Sequence, residues 1–135
     1  MFGPRGWRWL LGLAVLTAGV AWGQEQAMPA RLDPDGVQRL TLVGGNYHFQ
    51  PDRIRVQIGV PVELEVYRTT RTPHDLVIQD DRMGLDITVD LALEPVVVRF
   101  TPEVTGRVVF YCDQRLLFLP SHRARGMWGV LEVID

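Results

Sequence analysis

Four side chains in this sequence have the types and spacing to share one soft metal ion: His74, Cys112, His122 and Met127. Cys112 is the only cysteine; nine residues separate it from His122, and four more separate His122 from Met127. One loop can therefore bring a thiolate, an imidazole and a thioether to a single point. His74, in Thr72-Pro73-His74-Asp75-Leu76, would add a second imidazole from a neighbouring strand. Two imidazoles and a thiolate in a trigonal array, with a weak thioether on the axis, suit a copper ion that changes oxidation state. Cu(I) favours sulfur and Cu(II) favours nitrogen, so a rigid intermediate geometry lets an electron arrive or leave with little movement. Zinc would accept the cysteine and both histidines but gains little from the methionine. Taken singly, each residue has a plainer reading: a buried thiol, a surface histidine between Ser121 and Arg123, a methionine packed in a core. Their joint spacing favours the metal.

The remaining polar candidates weigh less. His48 alternates with Tyr47 and Phe49, which places it on the solvent side of a strand. Met28 and Met83 lie far from any ligand spacing. Asp75 has two open readings: its carboxylate accepts backbone N–H groups from the Cys112 loop and so fixes the approach of His74, or it is a solvated turn residue.

Short β-branched runs must position these side chains. Val37 to Val43, Ile54 to Ile58, Val62 to Tyr67, Leu76 to Ile78, Val96 to Phe100, Val108 to Tyr111 and Val130 to Ile134 are separated by glycines and prolines, and no stretch sustains a helical apolar stripe. In Val62-Glu63-Leu64-Glu65-Val66 the apolar side chains share one face and the acids the other. Seven or eight such strands predict an all-β, antiparallel two-sheet sandwich over residues 37–135. Residues 24–36, polar and broken by Pro29 and Pro34, read as a flexible lead-in.

The first 23 residues read as a secretory signal: Arg5 and Arg8, the apolar run Trp9 to Ala21, then small residues before a cut ahead of Gln24. An uncleaved membrane anchor is the alternative, although the run is short for spanning a bilayer. Export would place the domain in the periplasm or another extracytoplasmic compartment, where a lone thiol needs burial, a bridge or a metal. With 47% hydrophobic and 22% charged residues, the 135-residue chain has the composition of a globular protein. Sixteen acids against fourteen bases, all arginine, argue against nucleic acid as a partner.

In chain order, Asn46-Tyr47-His48-Phe49-Gln50-Pro51, Pro73-His74-Asp75, Phe110-Tyr111-Cys112 and Ser121-His122-Arg123-Ala124-Arg125-Gly126-Met127-Trp128-Gly129 resemble the cupredoxins, the small blue-copper proteins, over roughly Leu40 to Ile134. The resemblance implies an eight-stranded Greek-key sandwich with one copper under one end, held by His74, Cys112, His122 and Met127. The Cys-to-His loop is longer than in plastocyanin or azurin and nearer that of the copper nitrite reductases. A binuclear copper centre would need two thiolates, and a second catalytic copper would need more than three histidines. The expected role is therefore that of a non-enzymatic, monomeric one-electron carrier. Its partner would be a redox protein such as a cytochrome or a terminal oxidase or reductase, with a membrane involved only if the leading segment stays attached. Copper storage or delivery, and a structural subunit of a larger oxidase or reductase, are the alternatives.

Two surface features accompany the site. Leu116-Leu117-Phe118-Leu119-Pro120 is too apolar for an ordinary turn and reads either as a cap over the metal or as a contact surface. Arg68, Arg71, Arg115, Arg123 and Arg125 all belong to segments near the expected metal end, where they would form a positive rim around the edge of His122, or else be scattered solvated charges.

Overall fold

The computed structural model describes residues 26–135, so the expected export signal lies outside the described residues. Eleven strands follow in order: β1 Met28–Pro29, β2 Arg31–Leu32, β3 Gln38–Gly45, β4 His48–Gln50, β5 Arg53–Gln57, β6 Val62–Arg68, β7 His74–Asp80, β8 Leu85–Leu91, β9 Val96–Phe100, β10 Gly106–Tyr111 and β11 Trp128–Ile134. They form one sheet in the order β1-β5-β11-β10-β7-β8 and a second in the order β2-β3-β6-β9, with β4 beside β3. Among the described residues no helix is long and apolar enough to cross a membrane.

The alternating strands bury one face each, as period-two patterning requires. Val62, Leu64 and Val66 of β6 meet Leu76 and Ile78 of β7, Phe110 of β10 and Leu131 of β11 in one core. The rings of Phe49 and Phe110 pack edge to face at 5.3 Å.

Three details depart from the sequence reading. Both sheets are mixed, not antiparallel, because β3 runs parallel to β6 and β5 runs parallel to β1 and β11. A parallel neighbour cannot follow through a hairpin. After β3 the chain folds back as β4, crosses to the other sheet as β5 and only then returns as β6. The expected flexible lead-in is in fact paired: β1 lies along β5 and β2 along β3. Pro29 is tolerated because β1 is an edge strand. Ala30 N–H donates to Arg55 O at 2.8 Å, and Asp33 and Asp35 both hold the Arg39 guanidinium at 2.8 Å. The third departure is β8, an alternating strand outside the apolar runs of the sequence reading, which pairs along its whole length with β7.

Strand register sets the site. Tyr111 of β10 lies opposite Trp128 of β11 on one side and Val77 of β7 on the other. The end of β10, the start of β11 and the start of β7 therefore share one pole of the sandwich. Cys112, Met127 and His74 occupy those three positions.

Candidate metal centre

His74 opens β7 directly after Pro73, and Cys112 follows the last residue of β10. The loop leaving Cys112 returns through a compact turn. His122 N–H donates to Gln114 O at 2.9 Å, Met127 N–H to His122 O at 3.0 Å, and Cys112 N–H to Met127 O at 3.1 Å. Ser121 Oγ accepts Ala124 N–H at 3.2 Å, holding the turn that carries His122.

The three donor atoms converge. His74 Nδ1 lies 3.1 Å from His122 Nδ1, and Cys112 Sγ lies 3.8 Å and 3.5 Å from those two nitrogens. A point equidistant from the three is about 2 Å from each, close to transition-metal bond lengths to imidazole nitrogen and thiolate sulfur. All three side chains are buried. The residues present therefore fit a metal ion, and sulfur in the set favours a soft one.

Neighbouring groups fix the orientation of each donor. His74 Nε2 donates to Asn46 Oδ1 at 2.8 Å and lies 3.2 Å from Thr70 Oγ1. Asn46 is itself held, its Oδ1 accepting from Thr70 Oγ1 at 3.0 Å and its Nδ2 donating to Thr72 Oγ1 at 3.2 Å. With the proton on Nε2, the lone pair of His74 Nδ1 points at the cluster. Cys112 Sγ accepts the Asp75 N–H at 3.4 Å. The Asp75 carboxylate accepts Asp113 N–H at 2.6 Å and Gln114 Nε2 at 3.2 Å, so the first of its two readings is the observed one.

Burial sets the protonation states. It pushes the His74 imidazole down to about 4, with the charges of His122 and Arg68 adding to the effect. It also lowers His122, helped by Arg125. Both rings are thus neutral and ligand-competent at neutral pH. The Cys112 thiol is raised to about 11 by burial, against the pull of the Asp75 N–H, so metal binding must release its proton.

A stability prediction follows for the metal-free chain. An unfolded histidine takes its proton near pH 6.5, whereas folded His74 holds off until about 4. Between those values the unfolded state binds more protons, so stability falls as pH falls. Acidifying from pH 7 to 5 should cost about 2 kcal/mol through His74. Urea melts of the wild type and His74→Gln check this, since the variant should lose most of the slope; an equal slope in both would reject the assignment.

Met127 is fully buried, and its main chain is bonded to both Cys112 and His122. Its side chain packs over Gly44 of β3, where a methyl group would sit 3.1 Å from Met127 Cε and 2.8 Å from Leu91 Cδ1. A glycine within a strand is what leaves room for the Met127 side chain against β3. His48 is exposed, as its alternation predicted. Met83, although far from the site, is a core residue. Asn46 and Tyr47 belong to the site, and spacing alone did not reveal them. The Tyr47 ring lies 4.8 Å from that of His122 and 6.3 Å from that of His74, and the Arg125 guanidinium lies over the same ring at 4.3 Å. His122 is consequently only 4% exposed, not the surface histidine of its plainer reading. The apolar loop does not serve as the cap: Leu116, Leu117 and Phe118 are 63%, 78% and 91% exposed.

Neither a protein-family model nor a curated protein matches the sequence. Solved structures do match in shape. The metal-binding domain of the Cu(I)-exporting P-type ATPase CopA of Streptococcus pneumoniae D39 superposes with a TM-score of 0.64 at 22% identity, over 84% of this chain and all of that one. Auracyanin from Roseiflexus castenholzii gives 0.57 at 20% identity, over 72% of this chain and 97% of its own. A fern plastocyanin gives 0.51 at 21% identity, over 70% of this chain and all of its own. The two-sheet sandwich, its strand order and these likenesses together identify the fold as that of the cupredoxins.

Proposed function

We propose that this chain is an exported one-electron carrier with a single copper held by His74, Cys112 and His122 and by Met127 as a weak fourth ligand. The observation that carries the reading is the buried triangle of two imidazole nitrogens and one thiol sulfur, 3.1 to 3.8 Å on its edges. Bound there, copper supplies a one-electron couple between Cu(I) and Cu(II). The protein contributes rigidity: Asn46 and Thr70 hold His74, the Asp75 N–H holds the sulfur, and Tyr47 shields His122. A site that need not rearrange suits electron exchange with a redox protein more than it suits turnover of a substrate. Residues 1–23 act in this reading as the export signal, and the domain works as a monomer.

The likeness to the domain of a Cu(I) exporter favours a second reading, copper storage or delivery. Delivery requires an open site that exchanges ligands with an acceptor, whereas here all three donors are buried.

Loading the chain with Cu(II) and recording its visible spectrum tests the first reading. An intense sulfur-to-copper band is expected in the wild type and none in Cys112→Ser. A wild type without that band overturns the carrier proposal, and a band without a reversible redox wave moves the assignment to copper handling.

A further inference from the structure

The loop between the proposed ligands Cys112 and His122 carries an unpartnered apolar turn. Leu119 N–H closes it on Leu116 O at 3.0 Å, and Leu116, Leu117, Phe118 and Leu119 are 63%, 78%, 91% and 39% exposed. None of the four belongs to the core cluster. Four adjacent large apolar side chains on a convex tip are costly to leave in water unless something covers them.

The charges around the turn indicate what does. From Cys112 to Met127 there are three arginines, Arg115, Arg123 and Arg125, against one acid, Asp113. Among the described residues none of the three forms an ion pair, nor do Arg53, Arg68 and Arg71, whereas Arg31, Arg39, Arg55, Arg82, Arg99 and Arg107 do. The Arg123 guanidinium lies over the Tyr111 ring at 4.1 Å and that of Arg125 over the Tyr47 ring at 4.3 Å. Stacking holds these cations in place without neutralising them. Trp128, 48% exposed, borders a cavity with Ser121, Arg123 and Ala124, so an aromatic of the type that favours membrane interfaces flanks the same loop.

We propose that the Leu116–Leu119 turn inserts into the interface of an anionic phospholipid bilayer while Arg115, Arg123 and Arg125 bind the headgroup phosphates. A fluid interface receives a convex apolar tip without a matching groove, and clustered arginines add attraction to anionic lipid. The metal pole then faces the membrane, and an electron partner would lie in the membrane plane. The inference uses no property of the metal.

The test uses the full chain with vesicles of phosphatidylcholine alone or mixed three to one with phosphatidylglycerol. Tryptic cleavage after Arg115 and sedimentation with the vesicles are the two readouts. On the anionic vesicles cleavage should slow at least fivefold, with little change on neutral ones. In Leu117→Ser/Phe118→Ser, whose altered side chains lie outside the core, protection should vanish and the partition coefficient should fall at least tenfold. Equal binding of wild type and variant would mean that the leading segment alone holds the membrane and overturns the proposal. Equal binding to neutral vesicles overturns the headgroup assignment. No binding overturns it as well, and leaves the turn to an acidic protein groove.

Discussion

Gly129→Ala is expected to destabilise the domain by about 3–4 kcal/mol, lowering its melting temperature by about 15 °C. Gly129 lies in β11 directly opposite Phe110 of β10. A methyl group there would fall 2.6 Å from Phe110 Cε2, and closer still to Phe110 Cζ and the Asp52 carbonyl oxygen. Neither neighbour is free to withdraw. Phe110 is fully buried and packed edge-on against Phe49, and Asp52 O accepts the Val130 N–H at 2.8 Å, a bond that fixes the connection between β4 and β5 to β11. Moving the carbonyl would break that bond; moving the ring would disturb the core one residue before Tyr111 and two before Cys112. Gly59→Ala is the contrast. Nothing lies within 4 Å of its methyl position, and only its left-handed φ of +73° opposes the change, at about 1 kcal/mol. Thermal melts of the two variants check the pair. A Gly129→Ala domain melting within 3 °C of wild type would mean that this close approach is not a constraint of the fold.

Gly129 also illustrates where sequence reading stops. Read along the chain, the glycines were punctuation between strands, yet Gly44, Gly45 and Gly129 all lie within strands. What each must avoid is remote in sequence: Leu91 and Met127 for Gly44, Asp52 and Phe110 for Gly129. Local periodicity carried the strands with apolar runs, and the alternation of β6 was legible because Val62, Leu64 and Val66 separate cleanly from Glu63 and Glu65. It did not carry β1, β2 and β4, which are two or three residues long and exist because a longer neighbour offers its edge. The metal cluster was legible because His74 and Cys112 sit at strand ends, where a sandwich gathers its loops, and His122 follows on the loop that leaves Cys112. Asn46 was not, because its bond to His74 spans 28 residues and an asparagine before a tyrosine suggests only a turn.

Asp75→Ala should cost about 3 kcal/mol and open the Cys112 loop, whereas Asp75→Asn should cost only about 1 kcal/mol. The wild-type carboxylate joins the first turn of the loop to β7 by accepting Asp113 N–H at 2.6 Å and Gln114 Nε2 at 3.2 Å, while its own N–H reaches Cys112 Sγ. Asparagine keeps an acceptor for the Asp113 N–H, and the Gln114 amide can turn its oxygen toward the new amide group. Alanine keeps neither bond and leaves both donors short of an acceptor. The main-chain bond to sulfur survives in both variants, so the two differ in how firmly the loop is held and not in what the sulfur accepts. Alkylation of the folded, metal-free protein reads this difference. The buried Cys112 thiol should react about tenfold faster in Asp75→Ala than in wild type. In Asp75→Asn the acceleration should be smaller and of another origin: the lost negative charge no longer raises the thiol, so its titration moves below about 11. Equal denaturation midpoints and equal alkylation rates for the two variants would show that the carboxylate is not what anchors the ligand loop.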